Sequence, residues 1–257
     1  MKSSRFSLAI TILVTLILYL PIVILVVNSF NESRFGAGWM GFSLKWYQRL
    51  FEERDLWLAM SNSLLIAVCS TIASTILGFL AAFAIHYYKT PLQKVHYSLV
   101  YGPLVIPEVL MGISLLLFFI ATNISPGLFT IFIAHTTFCV GYVTMVMLAK
   151  LQNFDFSAVE AAQDLGASSW TAFRRVLLPL LAPGFIAAML LSFTMSIDDF
   201  VITFFVAGEG TMTLPLYIYN MIKISATPVV NALSTLMILA TVLCVWLIKS
   251  YSREELL

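Results

Sequence analysis

Glu108, Asp198 and Asp199 are ionisable groups set inside long apolar runs, and none of those runs carries a lysine or arginine in its interior to neutralise them. A charged group in hydrocarbon costs about 2.5 kcal/mol or more on insertion scales, so such a group faces a cavity or a partner. Two readings answer that cost. In one, the acids are protonated, held by backbone donors, or met by bases of a second subunit. In the other, they line a path for a positively charged substrate, with acidic stations at two depths. Helical spacing surrounds the aspartates: Ser192, Ser196, Asp199 and Thr203 follow intervals of four, three and four and share one stripe, while Thr194 and Asp198 form a second stripe one residue away. Together they make a polar face wide enough to line a path. Glu108 follows Pro103 and Pro107, which interrupt the hydrogen-bond ladder of their helix. At ~1.5 Å per residue from the inner end it falls near mid-membrane, below the aspartate pair. His135, in the next run, reads as hydrogen-bonded to a neighbouring helix rather than as a proton relay. Trp46 has two readings, an interfacial anchor or a contact for a cation or a delivering protein, since an indole face attracts cations and Glu52, Glu53 and Asp55 are close in sequence.

The elements that must position these groups follow from composition. Of 257 residues, 60% are hydrophobic and 11% charged, which excludes a soluble domain of this length. Apolar runs at 6–30, 60–86, 97–122, 127–149, 178–207 and 228–248 are each long enough for a span of roughly 20 residues. They predict an all-α protein with six transmembrane helices in the lipid bilayer, forming a single transmembrane domain over 1–257. The first run reads as a span and not a signal peptide, because its apolar stretch is about 25 residues long with no small-residue cleavage site after it. The second is rich in small residues (Ala67, Ser70, Ala73, Ser74, Gly78), which let helices approach closely in lipid. Cys69, Cys139 and Cys244 lie far apart in apolar runs and read as packing residues.

Basic residues set the orientation. With the N-terminus cytoplasmic, the inside holds Lys2, Arg5, Lys89, Lys94, Lys150, Arg174, Arg175, Lys249 and Arg253, against Arg34, Lys45, Arg49, Arg54 and Lys223 outside. Both termini and the 150–179 loop then lie inside. The outer loop 31–59 repeats Trp46, Tyr47, Leu50, Phe51 and Trp57 at helical spacing and predicts an amphipathic helix on the outer surface.

The 150–179 loop is charged and helix-patterned. Ser157 and Glu160 form a capping-box pattern that starts a short helix at Ala158, Gly166 breaks it, and Ser168 caps a second helix through Arg175, before Pro179 enters the next run. Leu165, Val176, Leu177 and Leu178 are assigned to its apolar side; Asp155, Asp164, Arg174 and Arg175 to its wet side. On pattern alone it is either an amphipathic loop on lipid headgroups or a dock for a partner. Glu160, Ala161, Ala162, then Gly166, then Val176, Leu178 and Pro179 resemble, in order and spacing, the coupling motif of the permease subunits of binding-protein-dependent ABC importers, with Val176 where that pattern usually has isoleucine.

Across nearly the whole chain, VVNSFNESRFG, KWYQRLF, the coupling loop and SFTMSIDDFV resemble the spermidine/putrescine class of these permeases. The resemblance implies a type I ABC importer permease fold with a cytoplasmic coupling helix pair, in a bacterial inner membrane. It also implies a second, non-identical permease, two ATPase subunits that hold ATP and Mg, and a periplasmic or extracellular polyamine-binding protein. Asp198, Asp199, Glu108, Ser196 and Trp46 would then meet the cation, and Glu160 to Pro179 would transmit force. No phosphate-cradling Gly-Lys-Ser/Thr loop, metal-spaced His/Cys cluster or Gly-x-Ser-x-Gly elbow occurs, so no cofactor or catalysis is assigned to this chain, and no basic stripe assigns it nucleic acid. The competing readings are an importer of ferric iron or another cation, a proton-coupled secondary transporter, which six spans without an inverted repeat fit poorly, and a non-transporting scaffold.

Overall fold

The computed structural model describes residues 5–34, 38–88, 91–224 and 228–254; the side chains of Arg5, Ile224 and residues 244–254 are outside that description. Lys2 and Lys89, and the side chains of Arg5, Cys244, Lys249 and Arg253, therefore lie outside the described residues. The described chain is helical: α1 (Arg5–Ser29), α2 (Lys45–Glu52), α3 (Arg54–Tyr87), α4 (Gln93–Val105), α5 (Glu108–Ala121), α6 (Leu128–Gln152), α7 (Ser157–Asp164), α8 (Ser169–Ala172), α9 (Leu178–Asp198), α10 (Val201–Val206), α11 (Leu214–Ile224) and α12 (Pro228–Glu254). Its β pairing among the described residues is an isolated bridge between Asn31 and Phe42.

Residues 6–29, 54–87, 128–152 and 169–198 form helices long and apolar enough to cross a membrane. The third apolar run, expected as one span over 97–122, is two helices, α4 and α5, bent by 108°. Pro107 causes the bend. It removes an N–H and biases the preceding residue away from helical angles, and Ile106 is extended at φ −69°, ψ 129°. A straight-helix count therefore does not give the depth of Glu108. The continuous helix expected over 178–207 also breaks: α9 ends at Asp198, Asp199 is extended at φ −66°, ψ 122°, and α10 begins at Val201. No proline marks this second break.

The two compact units are 1–57 with 217–257, and 58–216. In the first, α12 packs against α1 and α2. In the second, α6 is central, touching α4, α9 and α10, while α10 rests on α5. One apolar cluster joins Phe79, Ile85, Val143, Met147, Leu181 and Ala188, and another joins Met111, Phe119, Ile131, Phe138, Ile202 and Val206. Small residues permit these approaches, as expected for α3. A Cβ on Gly78 would stand 2.6 Å from Val143 Cγ1, so α3 and α6 meet closely there.

Candidate functional site: an acidic cleft backed by a buried polar relay

Ser70 and Ser74 are one helical turn apart on α3, as Ser192 and Ser196 are on α9, and all four are buried. The turns match. Ser74 Oγ and Ser192 Oγ share a 2.8 Å hydrogen bond, and Ser70 Oγ and Ser196 Oγ share one of 2.9 Å. Ser196 Oγ also lies 2.8 Å from His135 Nδ1, on α6. On its other edge, His135 Nε2 is 2.9 Å from Thr203 Oγ1 and 3.2 Å from Asp199 Oδ2. Three spans thus converge on one imidazole that is 1% exposed.

Asp199 ends the relay and explains the second helix break. Its Oδ2 accepts from Thr203 N at 2.8 Å and from Thr203 Oγ1 at 2.8 Å, and its Oδ1 accepts from Ile202 N at 3.3 Å. Those amides are orphan donors of the first turn of α10, so Asp199 caps this short helix. Capping requires the extended backbone that interrupts the span. The Asp199 side chain is 6% exposed.

Asp198 is turned differently. A cleft of about 250 Å³ is lined by Glu108, Phe138, Thr194, Met195, Asp198, Asp199, Phe200 and Val201, with no lysine, arginine or histidine among them. Both Glu108 and Asp198 are exposed in the chain. The 108° bend and the break after Asp198 bring these acids to one cleft. Ser196, expected beside them on the path, is instead 4% exposed, with its hydroxyl between Ser70 and His135.

Trp46 belongs to the unit of 1–57 and 217–257. The amphipathic helix expected in the outer loop is α2, which buries Trp46 and Leu50, four residues apart. Asn31 organises the loop beneath it: its side chain donates to Gly38 O at 2.7 Å and accepts from Ser33 N and Met40 N at 3.1 and 3.0 Å. Trp46 Nε1 donates to Asn31 O at 2.7 Å, and Lys45 Nζ stands 4.8 Å from the indole centroid. The indole is 6% exposed and already carries a cation of its own chain.

In the 150–179 loop, α7 starts at Ser157, one residue before the expected start, and no side-chain cap bond forms at its N-cap residue, Phe156. Asp155 replaces the expected capping box: its Oδ1 accepts from Ser157 N at 2.9 Å, which holds this exposed carboxyl below its ordinary range. Gly166 ends α7 at φ 89°, with Gly166 N bonded to Gln163 O and Ala167 N to Ala162 O, a left-handed C-terminal cap that suits glycine. Ser168 caps α8 as expected, accepting from Thr171 N at 3.3 Å. The helix then does not stop at Arg175. A π turn over Phe173–Leu177 carries it into α9, making room for Pro179, whose ring excludes a normal turn against the carbonyl of residue 175. Leu177 is buried as expected, whereas Leu165, following the last residue of α7, is 90% exposed. His86 stacks on Phe156 at 5.5 Å and 16°.

Long apolar helices, two of them broken where acids collect, define a multi-span membrane protein. The chain belongs to the family described as binding-protein-dependent transport system inner membrane component, whose sequence model matches residues 74–253. It is thus a multi-pass inner-membrane protein and a non-catalytic transport component. It is 41% identical over 238 residues to the spermidine/putrescine transport system permease protein PotC of Haemophilus influenzae, covering 93% of each chain. Its identity to the putrescine transport system permease protein PotI of Escherichia coli is 38% over 228 residues, covering 86% of this chain and 81% of that one. Among solved structures, a bacterial ABC transporter that imports alginate matches with a TM-score of 0.74 at 17% identity over 98% of both chains. An amino acid ABC transporter matches with a TM-score of 0.62 at 14% identity, covering 83% of this chain and 100% of that one. These two matches fix the fold as that of ABC importer permeases.

Proposed function

We propose that this chain is the transmembrane permease subunit of an ATP-driven importer of polyamines, spermidine or putrescine, and that the cleft between Glu108 and Asp198 is a station on the substrate path. The carrying observation is that cleft: two exposed carboxylates from two broken spans, aromatic walls from Phe138 and Phe200, and no basic lining residue. An alkyl chain with ammonium groups at intervals matches carboxylates set among aromatic and apolar surfaces. Relatives named as spermidine/putrescine permeases, aligned over 93% of this chain, support the same substrate class.

In this reading six helices cross the membrane, α4 and α5 together as the third and α12 as the sixth, with both termini cytoplasmic. Glu160, Ala161, Ala162, Gly166, Val176, Leu178 and Pro179 form the cytoplasmic coupling segment, and Leu165 and Trp170, 90% and 68% exposed, are its apolar contact for an ATPase subunit. The assembly has this chain, a second and non-identical permease, two ATPases that bind ATP and Mg, and a periplasmic polyamine-binding protein. Asp199 contributes its charge from within the cleft wall, Ser196 acts through the relay, and Trp46 supports the outer loop.

The test is energised uptake of labelled spermidine in cells lacking their own polyamine uptake, expressing the full transporter with this chain or with Asp198→Asn/Asp199→Asn at matched membrane levels. Uptake by the first and its loss in the second support the proposal. An intact complex that hydrolyses ATP but moves no spermidine or putrescine removes the polyamine assignment, and transport driven by membrane potential without ATPase subunits removes the importer assignment.

A further inference from the structure

Two neighbouring aspartates with opposite exposures raise the question of what separates them. Both border the cleft, but Asp198 is exposed while the Asp199 side chain is only 6% exposed. Ile202 N, Thr203 N and Thr203 Oγ1 hold Asp199 to its own span, and those bonds alone allow the carboxylate to travel with α10. His135 contributes the described contact to this carboxylate from a different span. Because the Thr203 hydroxyl proton is already given to Oδ2, the ring nitrogen facing both groups, Nε2, must carry a proton of its own and act as donor. At the opposite edge, Nδ1 is tied through Ser196 Oγ to Ser70 on α3. The imidazole is therefore fixed at both nitrogens and is 1% exposed.

We propose that His135 is a positioning residue that decides which of the two adjacent acids faces the substrate: by locking Asp199 to α6, it leaves Asp198 as the carboxylate aimed into the cleft. The proposal deepens the polyamine-path reading and rests on it for its kinetic consequence, but its geometric core needs no substrate. Glutamine at position 135 can donate from its amide nitrogen and accept at its oxygen, as the imidazole can, whereas leucine fills much of the space and does neither.

The test uses the assembled transporter in lipid nanodiscs, treated with a water-soluble carbodiimide and glycinamide, with modified carboxylates assigned by fragmentation mass spectrometry. In the wild type, Asp198 becomes modified and Asp199 does not. In His135→Leu, Asp199 becomes modified as well; in His135→Gln it stays protected. With spermidine as substrate, KM for uptake rises about tenfold in the leucine variant with little change in maximal rate per assembled complex, and returns to within about twofold of wild type in the glutamine variant. Equal modification of both aspartates in the wild type overturns the proposal without any variant being needed. Continued protection of Asp199 in an assembled His135→Leu complex, or a glutamine variant as impaired as the leucine one, overturns it too. Absence of spermidine uptake by the wild type defeats the polyamine reading and leaves the labelling result to decide the role of His135.

Discussion

Gly78 is the position where a single methyl group should disturb the site from a distance. A Cβ built there lies 2.6 Å from Val143 Cγ1, 2.7 Å from Val143 Cβ and 3.1 Å from the backbone nitrogen of Thr144. Carbon atoms pack best at about 3.5–4.0 Å, so Gly78→Ala demands roughly 1 Å of separation between α3 and α6. One of the three obstacles is backbone, and rotating the valine side chain cannot clear its Cβ. Overpacking of this kind costs about 1–3 kcal/mol. At about 2–4 °C per kcal/mol for a chain of this size, the purified subunit complex should melt roughly 2–12 °C lower. Val143→Ala removes the 2.6 Å contact but leaves the contacts at 2.7 and 3.1 Å, so in the Gly78→Ala background it should restore part of the loss and not all of it. Thermal unfolding followed by size-exclusion fluorescence reads all four combinations as a cycle. The geometric reasoning fails if Gly78→Ala melts with the wild type, or if its loss is unchanged by Val143→Ala. The effect should also reach transport, because His135 lies about two turns from Val143 on the same helix and Ser70 about two turns from Gly78 on the other.

Leu165→Asp should leave the subunit's melting temperature unchanged, since this side chain is 90% exposed, yet abolish recovery of the ATPase in pull-downs of the complex; undiminished recovery would refute the docking role. Ser74→Ala should cost about 1–2 kcal/mol by leaving the buried Ser192 hydroxyl unpaired, Ser192→Ala should cost less because Ser74 Oγ keeps a 3.2 Å bond to Thr71 O, and the double substitution should cost little more than Ser74→Ala alone; additive losses in thermal unfolding would contradict the 2.8 Å bond between the two serines. For Asp155, the bond from Ser157 N lowers the folded-state carboxyl below its ordinary 3.8, so its stabilisation is present above that value and is lost as pH falls through the folded one. Asp155→Ala should therefore melt below the wild type at pH 7, with the gap closing below about pH 4; a gap that persists there would show that the carboxylate is not the cause.

The parts of this fold legible in the sequence are those set by periodicity and by residues with restricted backbones. Apolar length marks the spans, the Trp46/Leu50 spacing marks α2, and Gly166 marks the turn between α7 and α8 at φ 89°. Pro107 was visible as a break, but proline does not specify an angle, so the 108° of the bend was not legible. The break at Asp199 carried no such mark. A helical stripe through Ser192, Ser196, Asp199 and Thr203 describes the first half of the site correctly and fails where the aspartate side chain competes with the helix for its own backbone amides. His135 could be read as hydrogen-bonded to another helix and no further, because its partners lie 61 and 68 residues away in sequence. The signal that could have raised it was the repeated four-residue serine spacing in two runs, Ser70/Ser74 and Ser192/Ser196, which lets two helices pair turn by turn.

The absence of lysine and arginine from the interior of the apolar runs has an answer in the backbone. Each broken span begins a new helix at an acid: Glu108 lies in the first turn of α5, and Asp199 caps the first turn of α10. Helix N-termini offer unpaired N–H groups and positive potential, so these two carboxylates are compensated without a lysine or arginine. Asp198 has the opposite placement. It is the last residue of α9, where unpaired carbonyls concentrate negative potential and where the final turn contains no base. One step along the chain therefore separates an acid whose charge the protein satisfies from an acid whose charge it leaves unsatisfied. A passing ammonium group gains most at the second, and it meets no fixed cation among the residues lining the cleft that it would have to displace. The helix break thus does two things at once, supplying amides that retire Asp199 into the wall and ending α9 so that Asp198 stands with the carbonyls facing the path.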